Sequence, residues 1–334
     1  MKKATVFGAG SFGTAIAQVL TPNFDEVVLW GRDPAQAEAI NAKHENTEYL
    51  PGLPLSPKVR ASADLEASAA NAELVVVAVP SHAQRGFVTQ AGKLFPMHVP
   101  IVTIAKGIEN ETLNTMTEVL EQCLPEEYSP HIAVLSGPSF AKEMMRKLPT
   151  VVTVASRFEK TARQVQAAFA SEFFRTYTST DVAGVQVGGA LKNVIAIAAG
   201  MSDGMGLGHN SRAAIITRGL AEISRMAVRM GGNPLTLSGL AGMGDLVLTC
   251  TGDLSRNRTV GMALGQGKSL EEILKGMHQV AEGVKTAKSA RDLQTKYGIE
   301  LPICEQVYLI AYEGKNPKAA VVDLMVRAPK SELV

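Results

Sequence analysis

Cysteine is scarce in this chain, and its three cysteines do not form the pattern of a metal site or a disulfide framework. Cys123, Cys250 and Cys304 are odd in number and widely spaced, and no CxxC pair occurs. A structural zinc site and a set of disulfides are therefore not expected. Such sparse cysteine is typical of the reducing cytoplasm. Cys250 is interpreted as a core residue, because no neighbouring group would activate its thiol.

An excess of charge of either sign is also missing. Lysine and arginine number 33, and aspartate and glutamate number 32, which gives a net charge of +1. This balance provides no electrostatic footprint for nucleic acid or for an acidic membrane surface. We therefore expect no nucleic-acid partner. The total charge does not report on a local basic patch for a small phosphorylated ligand.

A long run of purely apolar residues is lacking as well. The segment that most resembles such a run lies between Asp181 and Asp203, where Lys192 is the only charged residue. Gln186 and Asn193 interrupt the segment, and a charge at the centre of a lipid-exposed span is costly. The segment is therefore predicted to be a helix buried in protein, and no stable membrane insertion is expected.

Motifs of metal-dependent and serine hydrolases do not occur. The sequence contains neither HExxH nor GxSxG, and its six histidines do not cluster. Those motifs hold metal ligands or a nucleophile at fixed spacing. No metal site and no serine-hydrolase triad are therefore predicted.

Short apolar runs rich in β-branched residues alternate with helix-compatible stretches through the first half of the chain. Because these runs are apolar on both faces, they suit a parallel sheet that is covered on both sides. The predicted strands are Thr5–Phe7, Val27–Trp30, Leu74–Val79, Ile101–Ile104 and Ile132–Leu135, with Val151–Ala155 and Phe173–Tyr177 extending the sheet as a further pair. Glycine and polar residues follow the strands, so they should collect at the carboxyl edge, where open α/β sheets bind ligands.

Helical patterns replace strand patterns after about Asp181. Ser269 is predicted to cap a helix that has acidic residues in its first turn. The segment Ile215–Met230 predicts an amphipathic helix whose polar face carries Arg218, Glu222, Arg225 and Arg229. We therefore predict two domains, a sheet domain at residues 1–181 and an all-helical domain at residues 182–334.

The first strand is followed by a glycine-rich turn, Gly8-Ala9-Gly10-Ser11-Phe12-Gly13, and by a predicted helix over Ser11–Leu20. Gly8 allows the tight turn, Gly10 lets the backbone approach a pyrophosphate, and Gly13 lets helix and strand pack closely. The N–H groups at the helix start then face the phosphates. GxGxxG alone is a weak signal, but its place between a strand and a helix disfavours a plain turn. The sequence thus predicts an α/β fold with a Rossmann-type doubly wound parallel sheet that binds a dinucleotide.

Arg32 bears on the choice of cofactor. An acid after the second strand usually binds the ribose 2′-hydroxyl of NAD, and an arginine accommodates the 2′-phosphate of NADP. Here Asp33 precedes Pro34 and fits a helix N-cap with proline at the first helical position. Arg32 then contacts phosphate or is simply solvated. The cofactor is NAD or NADP, and Arg32 favours NADPH.

Three residues are candidates for the catalytic chemistry. Lys192 lies in a strongly apolar helix, and burial suits proton transfer because desolvation favours the neutral amine; the alternative is an ammonium group that reaches the surface. Lys106 follows a strand at the ligand edge, where an ordinary loop lysine is the alternative. Asp245 stands between glycines and an apolar run, and it either orients a lysine or caps a helix.

Two further segments offer groups for a phosphorylated ligand. Ser255-Arg256-Asn257-Arg258 places two guanidinium groups beside two neutral donors, and arginine binds phosphate oxygens through its planar fork. A solvated basic turn is the alternative. Ser136-Gly137-Pro138-Ser139 offers hydroxyls and backbone amides at the ligand edge of the sheet.

Together these motifs resemble the bacterial NAD(P)-dependent glycerol-3-phosphate dehydrogenase family over nearly the whole chain. The most specific match is GALKNVIAIAAG at residues 189–200. The supporting segments, in the family's order, are Gly8–Gly13, Val79–Ser81, Ala105–Gly107, Ser136–Ala141, Gly244–Thr251 and Ser255–Arg258. Two positions depart from the common pattern: relatives often have Trp or Tyr where this chain has Phe12, and His where it has Arg32.

The resemblance implies reversible interconversion of dihydroxyacetone phosphate and sn-glycerol 3-phosphate, for glycerophospholipid synthesis in the cytoplasm. It implies Lys192 as the proton donor or acceptor. We expect Lys106 to add positive charge beside the reacting oxygen and Asp245 to position Lys192, so these three residues form the predicted catalytic set. The resemblance places around the substrate Lys106, Gly137, Ser139, Lys192, Asp245, Ser255, Arg256 and Asn257. It places near the cofactor Gly8, Gly10, Ser11, Phe12, Gly13, Arg32, Lys106, Ala141, Arg256, Val280 and Glu282.

Two other functions stay open. A β-hydroxyacid or ketopantoate-type reductase is also a two-domain dehydrogenase, but it acts on carboxylates and would not need Arg256 for a phosphate. A dinucleotide sensor without turnover would bind the cofactor, although a buried Lys192 has no evident use there. The sequence carries no direct signal of oligomeric state, so a homodimer is left open.

Overall fold

A computed structural model of the chain describes residues 1–276, 281–329 and 331–332. Within these residues one sheet of eight strands spans residues 3–179. The strands are β1 (Lys3–Phe7), β2 (Glu26–Trp30), β3 (Val59–Ser62), β4 (Leu74–Val77), β5 (Ile101–Thr103), β6 (Ile132–Ser136), β7 (Thr150–Ala155) and β8 (Phe174–Ser179).

The order of the strands across the sheet is β3-β2-β1-β4-β5-β6-β7-β8. The first six strands of this order pair in parallel. β7 runs antiparallel to β6, and β8 pairs in parallel with β7. The predicted fold class is therefore confirmed, and the last two strands extend the sheet as expected. All seven predicted strands are present, with ends that differ by at most two residues.

The strand β3 was missing from the sequence prediction. It covers four residues at the edge of the sheet beside β2. Val59 and Ala61 are buried, whereas Arg60 is exposed. An edge strand needs an apolar surface on one side only, so this short segment lacks the continuous apolar run that marked the other strands.

Sixteen α-helices occur in the described ranges, and most of them follow the sheet. Those between strands are α1 (Ser11–Leu20), α2 (Pro34–Lys43), α3 (Leu65–Ala69), α4 (Ser81–Ala91), α5 (Met116–Cys123), α6 (Ala141–Met145) and α7 (Glu159–Phe169). Those after β8 are α8 (Val182–Gly204), α9 (Gly208–Arg229), α10 (Pro234–Leu237), α11 (Asp245–Thr251), α12 (Arg256–Gly265), α13 (Leu270–Lys275), α14 (Glu282–Tyr297), α15 (Pro302–Glu313) and α16 (Pro317–Met325).

Two predicted helix caps are confirmed by their hydrogen bonds. The Asp33 carboxylate accepts the N–H of Ala35 at 2.9 Å, and Pro34 is the first residue of α2. The Ser269 hydroxyl accepts the N–H of Glu272 at 3.3 Å, and the Glu272 carboxylate accepts the N–H of Ser269 at 2.8 Å. Side chains thus satisfy N–H groups that the helices leave without partners at their starts.

The prediction that Glu222 belongs to a polar helix face was wrong. Its helix, α9, begins seven residues earlier than expected, and Glu222 is only 2% exposed. The carboxylate accepts the N–H groups of Ile303 and Cys304 at 2.7 and 3.1 Å. It therefore caps the start of α15 from another helix, a tertiary contact that the spacing of polar residues cannot reveal.

The long apolar helix α8 is the centre of the helical half. By length and composition it could cross a membrane, but 83% of its apolar window is buried inside the protein. α9, α11, α12 and α14 pack around it. The prediction of a buried core helix at this place is therefore confirmed.

α8 and α12 cross at very short distance because each carries a pair of glycines four residues apart. A Cβ atom on Gly200 or Gly204 of α8 would collide with backbone atoms of α12, and one on Gly261 or Gly265 of α12 would collide with backbone atoms of α8. Small residues at this spacing let two helix backbones approach closely. The crossing holds the start of α12 against the middle of α8.

Candidate functional site

A cleft of about 460 Å³ lies at the carboxyl edge of the sheet and is lined by both halves of the chain. The sheet half contributes the glycine turn through Ser11 and Phe12, and the loop after β5 through Lys106. The helical half contributes α8, α11, the start of α12 and the start of α14. Ligands of open α/β sheets bind at this edge, so the cleft is the candidate site.

The glycine turn has the shape that the sequence predicted. Gly8 has a φ of +129°, and a Cβ atom there would lie 2.7 Å from the carbonyl carbon of Ala78. A Cβ atom on Gly13 would collide with the carbonyl oxygen of Gly8. By contrast, a Cβ atom on Gly10 would meet nothing within 4 Å. The turn therefore leaves open space beside Gly10 and the start of α1, which fits the pyrophosphate of a dinucleotide.

Lys106, Lys192 and Asp245 meet at the floor of the cleft. The Nζ atom of Lys106 lies 2.7 Å from Oδ2 of Asp245, and the Nζ atom of Lys192 lies 2.8 Å from Oδ1. The three side chains come from the loop after β5, from α8 and from α11. Two cations thus share one carboxylate, which leaves net positive charge for an anionic ligand. Lys192 is 6% exposed, so its head does not reach the outer surface.

Burial and mutual charge shift the acidity of this cluster. Burial lowers the pKa of Lys106 to about 8, and Lys192 adds to this effect while Asp245 opposes it. Burial alone would raise the pKa of Asp245, but the two ammonium groups outweigh burial and lower that pKa below its ordinary value. Asp245 is therefore an ionised carboxylate that binds both lysines, and it is not the N-cap that the alternative interpretation proposed.

The hydrogen bonds of the two lysines differ. Besides Asp245, the Nζ atom of Lys106 donates to the Gly137 carbonyl at 2.8 Å and to the Ser139 hydroxyl at 3.4 Å. Three acceptors match its three N–H donors. In the described ranges the Nζ atom of Lys192 contacts two acceptors, Asp245 and the Thr249 hydroxyl at 2.7 Å. Lys192 thus has one N–H donor left for a ligand.

Thr249 and Asn193 are site residues that the sequence analysis did not single out. The Thr249 hydroxyl accepts from Lys192 and donates to the backbone carbonyl of Asp245 at 2.6 Å. The Asn193 amide donates to the carbonyl of Lys106 at 3.2 Å and accepts from Asn257 at 2.9 Å. Both residues lie within the quoted motifs, next to Lys192 or one helical turn after Asp245. Their closeness in sequence to Lys192 and Asp245 was the signal from which both could have been predicted.

The start of α12 forms the opposite wall of the cleft. The Ser255 hydroxyl accepts the N–H of Arg258 at 3.2 Å and caps the helix. Asn257 donates to Asn193 and accepts the N–H of Gly283 at 2.9 Å. Arg256 lines the cleft at the first position of α12. A helix start with an arginine is a favourable site for a phosphate group.

The second arginine of this segment has another role. Arg258 pairs with Asp203 at the end of α8 at 2.7 Å, and with Asp253 at 2.9 Å. Its guanidinium group is therefore committed to neighbouring carboxylates. Arg256 lines the cleft, whereas Arg258 pairs with these two carboxylates.

The remaining predicted cofactor residues lie at several places around the cleft. Phe12 lines it with its ring centre 5.6 Å from the ammonium of Lys106. Ala141 and Glu282 line it as the first residues of α6 and α14. Arg32 lies exposed just beyond β2. Val280 falls outside the described residues.

Comparison with known proteins gives the same family for both halves of the chain. The model described as NAD-dependent glycerol-3-phosphate dehydrogenase N-terminus matches residues 3–162. The model described as NAD-dependent glycerol-3-phosphate dehydrogenase C-terminus matches residues 181–322. The first match includes every strand of the sheet except β8, and the second includes the helices from α8 to α15.

Individual relatives agree with the family models. A glycerol-3-phosphate dehydrogenase [NAD(P)+] of Myxococcus xanthus is 66% identical over 331 residues and is matched over 99% of each chain. The crystal structure of a glycerol-3-phosphate dehydrogenase from Coxiella burnetii is 37% identical, with a TM-score of 0.91 over 98% of this chain and 99% of that one.

A structure of the rival class is also similar, but only in fold. A ketopantoate reductase family protein from Ralstonia eutropha matches 96% of this chain and 100% of its own, with a TM-score of 0.57 and 16% identity. At such low identity the structural similarity shows a shared architecture only, and it carries no information on the reaction.

Proposed function

The chain belongs to the NAD-dependent glycerol-3-phosphate dehydrogenase family, and from this premise we propose how its own residues perform the glycerol-3-phosphate dehydrogenase [NAD(P)+] activity. The observation that carries the proposal is the pair of lysines on one carboxylate, with Lys192 buried and Lys106 largely buried, both bound to Asp245 at the floor of the cleft. The cluster lies between the glycine turn and the start of α12.

The cofactor is held on the sheet half of the cleft. The glycine turn with Gly8, Gly10 and Gly13 receives the pyrophosphate at the start of α1. Ser11, Phe12, Lys106, Ala141, Arg256 and Glu282 would complete its surroundings, and the exposed guanidinium of Arg32 would donate to the 2′-phosphate of NADPH. The bound nicotinamide supplies the hydride equivalent that the protein itself lacks.

The substrate lies between the lysines and the start of α12. In the reducing direction, dihydroxyacetone phosphate gains a hydride at C2 and a proton on the C2 oxygen, which converts the ketone to the secondary alcohol of sn-glycerol 3-phosphate. Lys192 donates that proton, because it retains an N–H donor whereas Lys106 has three acceptors. In the reverse direction neutral Lys192 removes the same proton.

Lys106 and Asp245 organise this proton transfer. Asp245 holds both ammonium groups through its two oxygens, so the proton donor is fixed in direction. Lys106 adds positive charge beside the oxygen on which negative charge develops. Gly137 and Ser139 in turn fix the head of Lys106.

The substrate phosphate binds at the start of α12. Ser255, Arg256 and Asn257 stand there, and a helix start attracts anions through its unpaired N–H groups and its dipole. Binding energy from this remote group aligns the carbonyl with Lys192. An unphosphorylated ketone would lose that contribution.

One experiment tests these assignments together. NADH and NADPH oxidation is followed separately at 340 nm with dihydroxyacetone phosphate, dihydroxyacetone and 2-keto acids. Turnover that requires the phosphorylated ketone supports the proposal, and equal turnover of a 2-keto acid would favour a ketopantoate-type reaction. Cofactor binding without substrate-dependent oxidation would indicate a sensor.

The variant Lys192→Ala isolates the proton donor. It should lower kcat by about 10³-fold, because a positioned general acid contributes roughly 10² to 10⁴, while NADH affinity stays unchanged. Lys142→Ala is the matched control, since Lys142 is an exposed lysine of the same cleft. Near-normal turnover of Lys192→Ala would remove Lys192 from the mechanism.

We further propose that the enzyme acts in the cytoplasm and serves glycerophospholipid synthesis. Sparse cysteine and the burial of α8 support an intracellular protein without membrane insertion. A homodimer and the division into domains 1–181 and 182–334 are part of the same proposal. Light scattering of the purified protein tests the dimer.

A further inference from the structure

The segment that follows α2 folds back over the glycine turn. The N–H of Leu55 donates to the carbonyl of His44 at 2.7 Å and closes the segment into a loop. The Ser11 hydroxyl of the turn donates to the carbonyl of Tyr49 at 3.2 Å. Tyr49 and Leu50 line the cleft. The segment at residues 44–55 is therefore a wall of the cofactor side of the cleft, and we call it the covering loop.

Asn46 joins the covering loop to the glycine turn. Its side chain is 1% exposed, and its Nδ2 atom donates to the carbonyl of Ala9 at 2.9 Å and to the Thr14 hydroxyl at 2.8 Å. Ala9 is inside the turn, and Thr14 is in the first turns of α1. One carboxamide group thus holds both ends of the phosphate-binding element.

The bond to Ala9 has a direct consequence for the adjacent amide. The carbonyl of Ala9 and the N–H of Gly10 belong to one planar trans peptide unit, so fixing the carbonyl also fixes the direction of the N–H. Packing does not hold this unit from the cleft side, because a Cβ atom on Gly10 would meet nothing within 4 Å. Gln36 also approaches the Ala9 carbonyl, but its Nε2 atom lies 3.5 Å away, at the limit of a hydrogen bond. Asn46, at 2.9 Å, is therefore the main side-chain donor that orients the Gly10 amide.

The acceptor atom of the same side chain indicates which contacts matter. Oδ1 of Asn46 is buried and has no hydrogen-bond partner in the described part of the chain. A buried unpaired acceptor is unfavourable. The carboxamide therefore contributes to the site through its two N–H donors and not through its oxygen.

We propose that Asn46 is a positioning residue for dinucleotide binding. Its carboxamide sets the direction of the Gly10 amide and holds the covering loop against the glycine turn. The inference rests on the proposed function in placing the cofactor on the glycine turn. It predicts a defect confined to the cofactor: the affinity for NADH depends on Asn46, and the chemical step at Lys192 does not.

Two variants and a matched control test this assignment. Asn46→Ala removes both donors, and Asn46→Asp removes them with little change of shape. Asn41→Ala is the control, because the Asn41 carboxamide also makes two backbone hydrogen bonds, to Ala61 at 2.9 and 2.8 Å, but it joins α2 to β3 away from the turn. The dissociation constant of NADH, the KM values, kcat and Tm are measured for each variant and the wild type.

Both Asn46 variants should raise the NADH dissociation constant and the KM for NADH about tenfold, the effect of losing a hydrogen-bonded support. At saturating NADH, kcat and the KM for dihydroxyacetone phosphate should stay within about twofold of the wild type. Asn41→Ala should lower Tm without weakening NADH binding.

Unchanged NADH affinity in a folded Asn46 variant would overturn the assignment and leave the proposed function standing. An equal loss of affinity in Asn41→Ala at the same Tm would overturn it too, because the effect would then follow stability alone. Failure of the wild type to bind NADH would instead refute the proposed function, and the inference with it.

Discussion

Three side chains form the charged cluster at the floor of the cleft. Asp245 binds Lys106 and Lys192 through separate oxygens, and all three are buried or nearly so. Removing a charge from such a group leaves its partner uncompensated in a medium that screens poorly. The cluster should therefore respond sharply to pH, and the response can be assigned to one residue.

Lys106 should produce an alkaline limb in the activity profile. Burial lowers its pKa to about 8, so the ammonium loses its proton as pH rises through that value, and the positive charge beside the substrate disappears. We expect kcat/KM for dihydroxyacetone phosphate to fall above about pH 8, approaching tenfold per pH unit. Steady-state kinetics from pH 6.5 to 10 measure this limb.

The variant Lys106→Met should be less active and should lack that limb, because methionine does not titrate. Lys142→Met, which replaces an exposed lysine of the same cleft, should retain it. A limb of unchanged position in Lys106→Met would assign the titration to another group.

The pairing of α8 with α12 determines how the two walls of the cleft meet. Lys192 lies on α8, and the proposed phosphate site lies at the start of α12. The glycines of the crossing bring the backbones together, and the Asn257–Asn193 hydrogen bond of 2.9 Å depends on that approach. Helix packing is thus part of the site and not merely its support.

The variant Gly261→Ala should disturb both stability and substrate binding. Its Cβ atom would collide with the carbonyl oxygen of Ile197 on α8, and such overpacking typically costs about 1–3 kcal/mol. The displaced helix should raise the KM for dihydroxyacetone phosphate more than the KM for NADH. Urea unfolding and steady-state kinetics measure the two effects.

Gly86→Ala is the matched control for this prediction. Gly86 also lies inside a helix, but a Cβ atom there would meet nothing within 4 Å. Alanine is the better helix former by about 0.5–1 kcal/mol, so the control should be neutral or slightly stabilising. Equal behaviour of the two variants would show that the crossing tolerates a methyl group.

Stability of the whole molecule involves a buried carboxylate outside the cleft. Glu222 connects α9 with the start of α15 in the centre of the helical half. Burial raises its pKa to about 7, against the lowering effect of its two backbone hydrogen bonds. A pKa that is higher in the folded state than in the unfolded chain couples folding to proton uptake.

The free energy of unfolding should therefore contain a term that decreases with rising pH. Below an unfolded pKa of 4.5 the contribution is fully present, and it is lost as pH rises through about 7. A shift of this size corresponds to roughly 3 kcal/mol, from about 1.4 kcal/mol for each pH unit. Urea unfolding at pH values from 5 to 8 should show this decrease in the wild type.

The variant Glu222→Gln should remove that decrease, because its amide does not titrate. Glu38→Gln, at an exposed position of α2, is the control and should keep the wild-type slope. If the slope of Glu222→Gln equals that of the wild type, another group is responsible for the pH dependence.

Much of the architecture was accessible from local patterns. The strands of the parallel core are continuous apolar runs, and the glycine turn needs glycine at the positions where the backbone is most crowded. Both features can therefore be recognised directly in the sequence. The edge strand β3 could not be recognised in this way, because four residues are too few for its alternation of buried and exposed positions to stand out from the surrounding sequence. The burial of Lys192 followed from its apolar neighbours in the same way.

Contacts between distant segments could not be read in this manner. That Asp245 binds both lysines, that Arg258 turns to Asp203, that Glu222 caps α15 and that Asn46 supports Ala9 all depend on how the elements pack. Local patterns report the burial and conformation of each residue, because those depend on near neighbours. The partner of a polar side chain depends on residues far away along the chain, and only packing in three dimensions selects it.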